Sequence, residues 1–373
     1  MKCGTYAEIN LDNLAWNLRG IRERVGDCGV IPVIKADAYG HGAVVVAGRL
    51  VREGCSMFAV ARFEEAMELR ESGISTPILV LGRLFPDQII EAVKAGLTIS
   101  IFDPEDLDWI EAVLRRLPGL SVRVHLKLDS GMGRVGLLLP RAAELFDRLS
   151  KCGGCDWEGL YTHFSTADEQ DKSYAHLQLA RFGKAISLLS GLGKKPRIIH
   201  MAASGAILDL PESYFDAVRP GILMYGHYPS KETSRCISPR QVMSFKTYVA
   251  HLREMPGGHP VSYGRRWTTP GQTRIAVLPV GYADGLSRRF TNNGEVLIRG
   301  RRYPMVGTVT MDYIMVNVGG GPVAVGDEVL LWGETAEGSI QTLEVAERIG
   351  TIPYELTCGL SRRVSRVYVG DAG

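Results

Sequence analysis

The sequence has no surplus charge, no long apolar run and no ordered set of cysteines, and each absence removes a class of function. Its 43 lysines and arginines against 41 aspartates and glutamates leave a formal net charge of +2. That is too little for a chain-wide field able to recruit nucleic acid or an anionic membrane surface. No stretch reaches the ~18–20 apolar residues that cross a bilayer; the most apolar ones, Val30–Ile34 and Ala43–Ala47, are short. The opening residues, Met1 to Glu8, lack the apolar core of a secretory segment, so the expected location is cytoplasmic. The seven cysteines are odd in number and scattered, unlike a disulfide framework. Cys152 and Cys155 form the one close pair. The pair lacks two further ligands at zinc spacing, and it follows a helical stretch instead of opening one as a redox pair does. It reads as two incidental thiols, and no metal site is expected. A glycine-rich dinucleotide fingerprint is missing too: Lys35 to Gly42, after the first apolar run, is not G-x-G-x-x-G, which disfavours an open doubly wound sheet. Neither repeats of 20–50 residues nor low-complexity tracts occur.

What is present is ordinary globular composition, 45% hydrophobic and 23% charged over 373 residues, enough for about two domains at ~150 residues each. Glycine, at 43 residues, exceeds the usual ~7% and signals many tight turns or close backbone approaches. Up to about residue 225, short apolar runs alternate with amphipathic helices. The runs are Val30–Ile34, Met57–Val60, Pro77–Leu81, Leu97–Ile101, Val122–Leu128, Trp157–Thr162, Arg197–Met201 and Phe215–Met224. Eight such βα units are the number that closes a parallel barrel. Asp103 and Pro104 suit the N-cap and first position of a helix whose buried face carries Leu107, Ile110, Leu114 and Leu117. Phe63, Ala66, Met67 and Arg70 form a second such face, stopped at Gly73. Pro229 to Pro239 is polar and aperiodic, a junction. Beyond it, turns separate alternating runs such as Arg274–Val280, Glu295–Arg299, Ile314–Val318 and Val329–Trp332. The expected architecture is α/β: a (β/α)8 barrel over residues 1–230 and a mainly-β domain over 231–373, the first ~10 residues being candidates to pack with the β domain.

Reactive groups of such barrels sit at the C-terminal ends of the strands. The first run ends in Lys35, whose stem would lie in apolar surroundings with its amine at the mouth; such burial lowers an amine pKa and suits imine formation with an aldehyde. The fifth run leads into Lys127, Asp129 and Arg134, the sixth into His163, the seventh into His200 and Ser204, the eighth into Arg219, Gly221 and Ile222. This is a cationic mouth. The Gly221 and Ile222 amides with the Ser204 hydroxyl form a cup suited to a phosphate. Each residue also has a plain structural alternative: a satisfied core imidazole at His163, a partner for Asp216 at Arg219, a helix cap at Ser204. Their gathering at one end of one sheet favours function.

Seven segments occur in the order of a known family: Val33-Ile34-Lys35-Ala36-Asp37-Ala38-Tyr39-Gly40, the run Lys127 to Arg134, Thr162-His163 to Asp168, Arg219-Pro220-Gly221-Ile222, Val261-Ser262-Tyr263-Gly264, Met311-Asp312 and Ile352-Pro353-Tyr354-Glu355. Together they resemble the motifs of pyridoxal phosphate-dependent alanine racemases and extend over essentially the whole chain. The resemblance implies that Lys35 carries pyridoxal phosphate as an imine and acts as one proton-transfer base, with Tyr263 as the other. Tyr39, Ser204, Gly221, Ile222 and Tyr354 would hold the phosphate. Arg219 would face the pyridine nitrogen, supported by His163. Arg134 would meet the substrate carboxylate, oriented by Lys127, which in the family can be a carbamate. The resemblance further implies a homodimer with shared active sites, in which Tyr263, Met311 and Asp312 enter the opposite subunit's site, and a role in making D-alanine for peptidoglycan.

Two bases on opposite faces suit racemisation, because a proton must leave one face of Cα and return to the other. A cationic relay through His163 and Arg219 would help stabilise the Tyr263 phenolate. Arginine stays protonated and hands no proton to the pyridine nitrogen, which makes the ring a weaker electron sink and favours reprotonation over transamination. The sequence departs from the family at Thr308, commonly an arginine near the substrate entrance, and at Thr310, often a cysteine; both bear on side-chain preference. Tyr282 is a further entrance residue on this reading, and Asp284 a turn former. A serine or broad-specificity racemase is the closest alternative, a decarboxylase of related architecture the next, and a non-catalytic cofactor-binding barrel the third.

Overall fold

The computed structural model describes residues 4–191 and 196–371. The described residues form two compact units, one of Ala15–Ala38 with Ala43–Pro239, the other of the segment up to Leu14, Tyr39–Gly42 and the segment from Arg240.

The first unit is the expected (β/α)8 barrel. Its parallel strands are Gly29–Val30, Phe58–Val60, Ile78–Val80, Thr98–Ile101, Val122–Asp129, Cys155–Tyr161, Ile198–Ala203 and Ala217–Arg219, hydrogen-bonded in that order around the sheet. Beyond Val30 the first strand closes the ring. The Ile31 and Val33 amides donate to Val218 and Pro220 on one side, while Ala59 donates to Pro32 and Ile34 donates to Ala59 on the other, all at 2.9 Å. Helices follow the strands as the punctuation predicts. Asp103 caps Pro104–Arg116, its carboxylate accepting from the Glu105 and Asp106 amides. The buried stripe of that helix is Leu107, Ile110 and Val113; Leu114 and Leu117 are only half-buried, because the 3.6-residue period carries the core-facing line through Val113. Helix Phe63–Glu71 ends where Gly73 adopts φ +83°.

Strand Val122–Asp129 reads apolar at every second position. Val122, Val124, Leu126 and Leu128 are buried, and the alternate residues His125 and Lys127 are buried as well. Thr98, Ser100, Tyr161, His200 and Arg219 are buried polar groups on neighbouring strands. They hydrogen-bond to one another and to backbone, as Ser100 Oγ does with Tyr161 Oη at 2.8 Å and with the Val80 carbonyl at 2.7 Å. Barrel interiors are usually filled by branched aliphatics; here these polar side chains lie buried among them.

The second unit is mainly β. Its sheet runs His251–Met255, Thr273–Leu278, Ile314–Asn317, Arg301–Val306, Glu295–Ile298, Glu328–Thr335, Met243–Tyr248, Tyr6–Asn10 and Ser365–Val369. The chain does not divide at one cut after residue 230. Tyr6–Asn10 pairs antiparallel with Met243–Tyr248 and parallel with Ser365–Val369, so both edges of that strand find their hydrogen bonds in the C-terminal sheet.

The turn after Lys35 is left-handed. Ala36, Asp37, Ala38 and Tyr39 have φ of +52° to +56°, and Gly40 has +82°. Such backbone costs L-residues roughly 1–2 kcal/mol each and persists only where its surroundings enforce it. The Ala36 amide donates to Glu65 Oε1 and the Ala43 amide to Asp37 Oδ1, both at 2.7 Å. In the second unit, Arg366 Nε donates to the Gly40 carbonyl at 3.0 Å, and a Cβ on Gly40 would lie 2.2 Å from the Thr357 carbonyl oxygen. Gly40→Ala is therefore expected to cost about 3 kcal/mol or more, whereas Gly183→Ala, in the interior of helix Ser173–Gly191 with open space around it, gains about 0.5–1 kcal/mol. Equilibrium urea unfolding measures both; coincident midpoints for Gly40→Ala and wild type would show that the turn tolerates a side chain.

Candidate active site

In the barrel unit, the residues that end the strands come together. Lys35 is half-buried directly after fully buried Ile34. Lys127 is buried, its ammonium 5.7 Å from the centre of the Tyr161 ring. Burial pushes the Lys127 amine down to about 8, and the charges of Arg134, Arg219 and Lys35 add to the push; Asp129 opposes it. His163 is driven well below the ordinary imidazole range by burial and by the fields of Arg219, Lys127, Arg134 and Lys35. One imidazole thus senses all four cations. Asp129 is turned to backbone, accepting from the Gly131 and Gly133 amides at 2.8 and 2.9 Å.

Arg219 is the best-anchored of these groups. Its Nη2 donates to the Thr162 and Met201 carbonyls at 2.7 and 3.0 Å and lies 3.3 Å from His163 Nδ1; its Nη1 lies 2.6 Å from His200 Nδ1. Burial lowers Arg219 to about 10, so it is charged at neutral pH. A guanidinium only donates, so His163 accepts on Nδ1 and carries its proton on Nε2. The expected cationic relay is corrected in one respect: His163 is neutral at neutral pH, and the positive charge resides on Arg219. No Arg219–Asp216 pair forms; Asp216 instead accepts from the Ile199 amide at 2.7 Å.

Ser204 is no helix cap either. Its hydroxyl accepts from the Gly221 amide at 3.0 Å and the Leu223 amide at 3.3 Å. Between them the Ile222 amide has no hydrogen-bond partner among the described residues. The Gly221 and Leu223 amides thus turn the Ser204 hydroxyl outward, and its O–H and the Ile222 N–H are the donors left for an anion's oxygens. A phosphate with a conjugated aldehyde fits this donor set: the Ile222 amide and the Ser204 hydroxyl for the phosphate, a lysine amine for the carbonyl, a buried guanidinium for a ring nitrogen.

In the second unit, the rings of Tyr39 and Tyr354 lie 5.9 Å apart at 45°, and burial raises the Tyr39 hydroxyl above its ordinary range. Tyr263 is 75% exposed and Met311 51%. Asp312 bonds Arg363 at 2.8 Å. Tyr263 is presented by a strained loop: Ser262 has φ +64° and Arg265 +50°, with Gly264 at +73°. A reciprocal pair pins it. Ser262 Oγ donates to the Thr308 carbonyl and Thr308 Oγ1 to the Tyr263 carbonyl, each at 2.7 Å. The Thr310 hydroxyl is spent on Tyr313, donating to its carbonyl at 2.8 Å. Asp284 accepts from the Gly281 amide at 2.9 Å and forms the expected turn. Cys152 and Cys155 are free, half-buried thiols, Sγ to Sγ 2.7 Å. No cluster of three or more metal-binding side chains occurs among the described residues, and no described helix is long and apolar enough to cross a membrane.

Sequence reading passed over His125, Glu158 and Tyr161, which lie inside the barrel behind Arg219. The Tyr161 ring stacks on His200 at 4.9 Å, and His125 Nδ1 is 2.9 Å from His200 Nε2. The signal that could have found His125 is the strict alternation in Val122–Asp129, one of whose polar positions it occupies.

Fold and site define a two-domain enzyme in which a (β/α)8 barrel sets a lysine amine beside an anion cup and a mainly-β domain exposes a tyrosine on a strained loop. The model of the alanine racemase N-terminal domain matches residues 9–229, and that of the C-terminal domain residues 242–368. The chain is 43% identical to alanine racemase 2 of Caldanaerobacter subterraneus subsp. tengcongensis, over 98% of this chain and 95% of that protein. It is also 43% identical to the alanine racemase of Desulforamulus reducens, over 99% and 100%. Among solved structures, the alanine racemase of Clostridium difficile 630 superposes with a TM-score of 0.94 at 39% identity, covering 100% of this chain and 97% of that one. The chain belongs to the alanine racemase family and is an isomerase.

Proposed function

We propose that this protein interconverts L- and D-alanine with pyridoxal 5'-phosphate as cofactor, in the cytoplasm, supplying D-alanine for peptidoglycan. The observation that carries the proposal is the convergence of Lys35, Lys127, Arg134, His163 and Arg219 on one end of the barrel, beside the Ser204–Gly221–Ile222 cup, in a chain that matches the family from end to end. When bound, pyridoxal phosphate supplies an electron sink that acidifies the substrate Cα–H.

The residues divide the remaining work. Ser204, Gly221, Ile222, Tyr39 and Tyr354 hold the phosphate, and Arg219 faces the ring nitrogen without giving it a proton. Arg134 binds the substrate carboxylate. Lys35 removes or returns a proton at Cα on one face. Tyr263 of the partner subunit does so on the other, beside Met311 and Asp312 of the partner subunit, in a homodimer with shared sites. The exposure of Tyr263 and Met311 supports this reading, since an aromatic side chain 75% open to solvent on a strained loop is poorly explained by packing within its own unit. Lys127 is a carbamate: an amine near 8 is partly uncharged at neutral pH, attacks CO2 through its lone pair and releases one proton. The resulting anion offsets Arg134 and orients it.

The amino acid is alanine in preference to serine. The Thr308 hydroxyl is committed to the Tyr263 carbonyl and the Thr310 hydroxyl to Tyr313, so neither replacement offers a hydrogen bond to a substrate hydroxyl.

Two outcomes test this. Lys35→Ala and Tyr263→Phe proteins, each loaded with cofactor, are expected to lose at least about 100-fold in racemisation, measured by enantiomer-resolved chromatography. When mixed and re-equilibrated they regain activity, because one site in each mixed dimer has both bases; failure to complement would rule out shared sites. Incubation with 13C-bicarbonate is expected to give a carbamate carbon resonance in the wild type that is missing in Lys127→Ala, and its absence from both would leave Lys127 a plain amine.

A further inference from the structure

Arg219 is held from behind by a file of three buried side chains. His200 Nδ1 lies 2.6 Å from Arg219 Nη1, His125 Nδ1 lies 2.9 Å from His200 Nε2, and Glu158 Oε2 lies 3.2 Å from His125 Nε2. Both imidazoles are completely buried. The direction of every bond follows from the two ends. The guanidinium has no lone pair to offer, so His200 accepts on Nδ1 and its proton sits on Nε2. His200 therefore donates to His125 Nδ1, the His125 proton sits on Nε2, and that N–H points at a carboxylate, which accepts only.

We infer that His125 and Glu158 are positioning residues for Arg219: acting through His200, they lock a one-way file of hydrogen bonds that braces the guanidinium and cannot conduct a proton. The inference rests on the reading that Arg219 faces the cofactor ring. Reversing the file would require Arg219 to accept a hydrogen bond, which no protonation state open to a guanidinium allows.

The surroundings agree with a neutral file. Burial and then the charge of Arg219 hold His200 well below the ordinary imidazole range. Burial likewise lowers His125, against the pull of Glu158 and with the push of Arg219 and Arg123. Burial raises the Glu158 carboxyl, but His125, Arg123 and Arg197 outweigh it and keep the group below its ordinary range. Thr98 Oγ1 at 3.4 Å and Arg197 Nη2 at 3.5 Å are the other groups bonded to this carboxylate. Tyr161, stacked on His200 with its ring centre 5.4 Å from the Arg219 guanidinium carbon, keeps the imidazole from turning over. The acceptors around Arg219 thus use Nη1 and Nη2, and its Nε–H has no partner among the described residues.

The test is nitrogen NMR of protein carrying 15N-histidine, with and without pyridoxal phosphate. His125 and His200 are both expected as neutral Nε2–H tautomers, unchanged from pH 6 to pH 9. An Nδ1–H tautomer at either ring, or protonation of either within that range, overturns the proposal, and these wild-type spectra decide it even where a variant fails to fold. Glu158→Leu removes the terminal acceptor and is expected to leave the His125 tautomer at Nε2–H, still set from the Arg219 end, but to shift its 15Nε2 resonance as that N–H loses its partner, whereas Glu158→Gln, whose amide oxygen still accepts, keeps the wild-type shift. In loaded enzyme, kcat/KM is expected to fall about 10- to 100-fold in Glu158→Leu and less than about 3-fold in Glu158→Gln, the range seen when outer hydrogen-bond partners are lost. A Glu158→Leu protein whose His125 Nε2–H has lost its bond but whose kcat/KM is that of the wild type would show that Glu158 and His125 position nothing. A wild type that racemises no amino acid would sink the functional reading instead, while the tautomers remain readable.

Discussion

Four cationic side chains stand close enough at one end of the barrel that the fields of Lys35, Lys127, Arg134 and Arg219 all reach His163. Two like charges 7 Å apart at an effective dielectric of about 20 repel by roughly 2 kcal/mol, so a folded protein keeps such a group only by discharging some members or by admitting anions. The first remedy is visible in the shifted titrations. The Lys127 amine gives up its proton near 8, and the imidazoles of His163 and His200 stay neutral. Asp129 opposes the shift at Lys127. On the proposed function, Arg134, Arg219 and Lys35 are then left to attract a phosphate and a carboxylate, and the Ile222 amide and the Ser204 hydroxyl supply donors that carry no net charge.

Rigidity is the second requirement, because a proton transferred at one carbon needs its bases held to fractions of an ångström. The backbone after Lys35 meets it with a left-handed turn fixed by Glu65 and Asp37, and the backbone around Tyr263 meets it with a loop of positive φ pinned by Ser262 and Thr308. Both proposed bases therefore sit directly beside backbone that L-residues avoid. Thr308, where the resemblance would place an arginine, is a buried hydroxyl that ties down the loop.

Much of this was legible in the sequence, for identifiable reasons. The eight barrel strands lie within the eight apolar runs, apart from a one-residue offset at Gly29 and the ends of the fifth, sixth and seventh strands, because a strand buried on both faces reads as a continuous or nearly continuous apolar stretch. Lys35, Lys127, His163, Ser204 and Arg219 were visible because a barrel puts function where strands end. The buried file behind Arg219 was not, since His125 and Glu158 are 33 residues apart and their contact depends on parallel register between Val122–Asp129 and Cys155–Tyr161. The first ~10 residues are candidates to pack with the β domain on sequence alone, but the register of Tyr6–Asn10 between Met243–Tyr248 and Ser365–Val369 is a long-range choice that local propensity does not encode. Nor does composition reveal left-handed backbone at Ala36 or Ser262, where residues other than glycine are held by tertiary contacts.

The central claim is that an amine and a phenol serve opposite faces of one carbon. Its most direct test is incorporation of solvent deuterium at Cα from L-alanine and from D-alanine, by wild type, Lys35→Ala and Tyr263→Phe. With two separate bases, each variant loses exchange preferentially with one enantiomer, and the two variants lose it with opposite ones. Equal loss from both enantiomers in both variants would contradict separate facial roles.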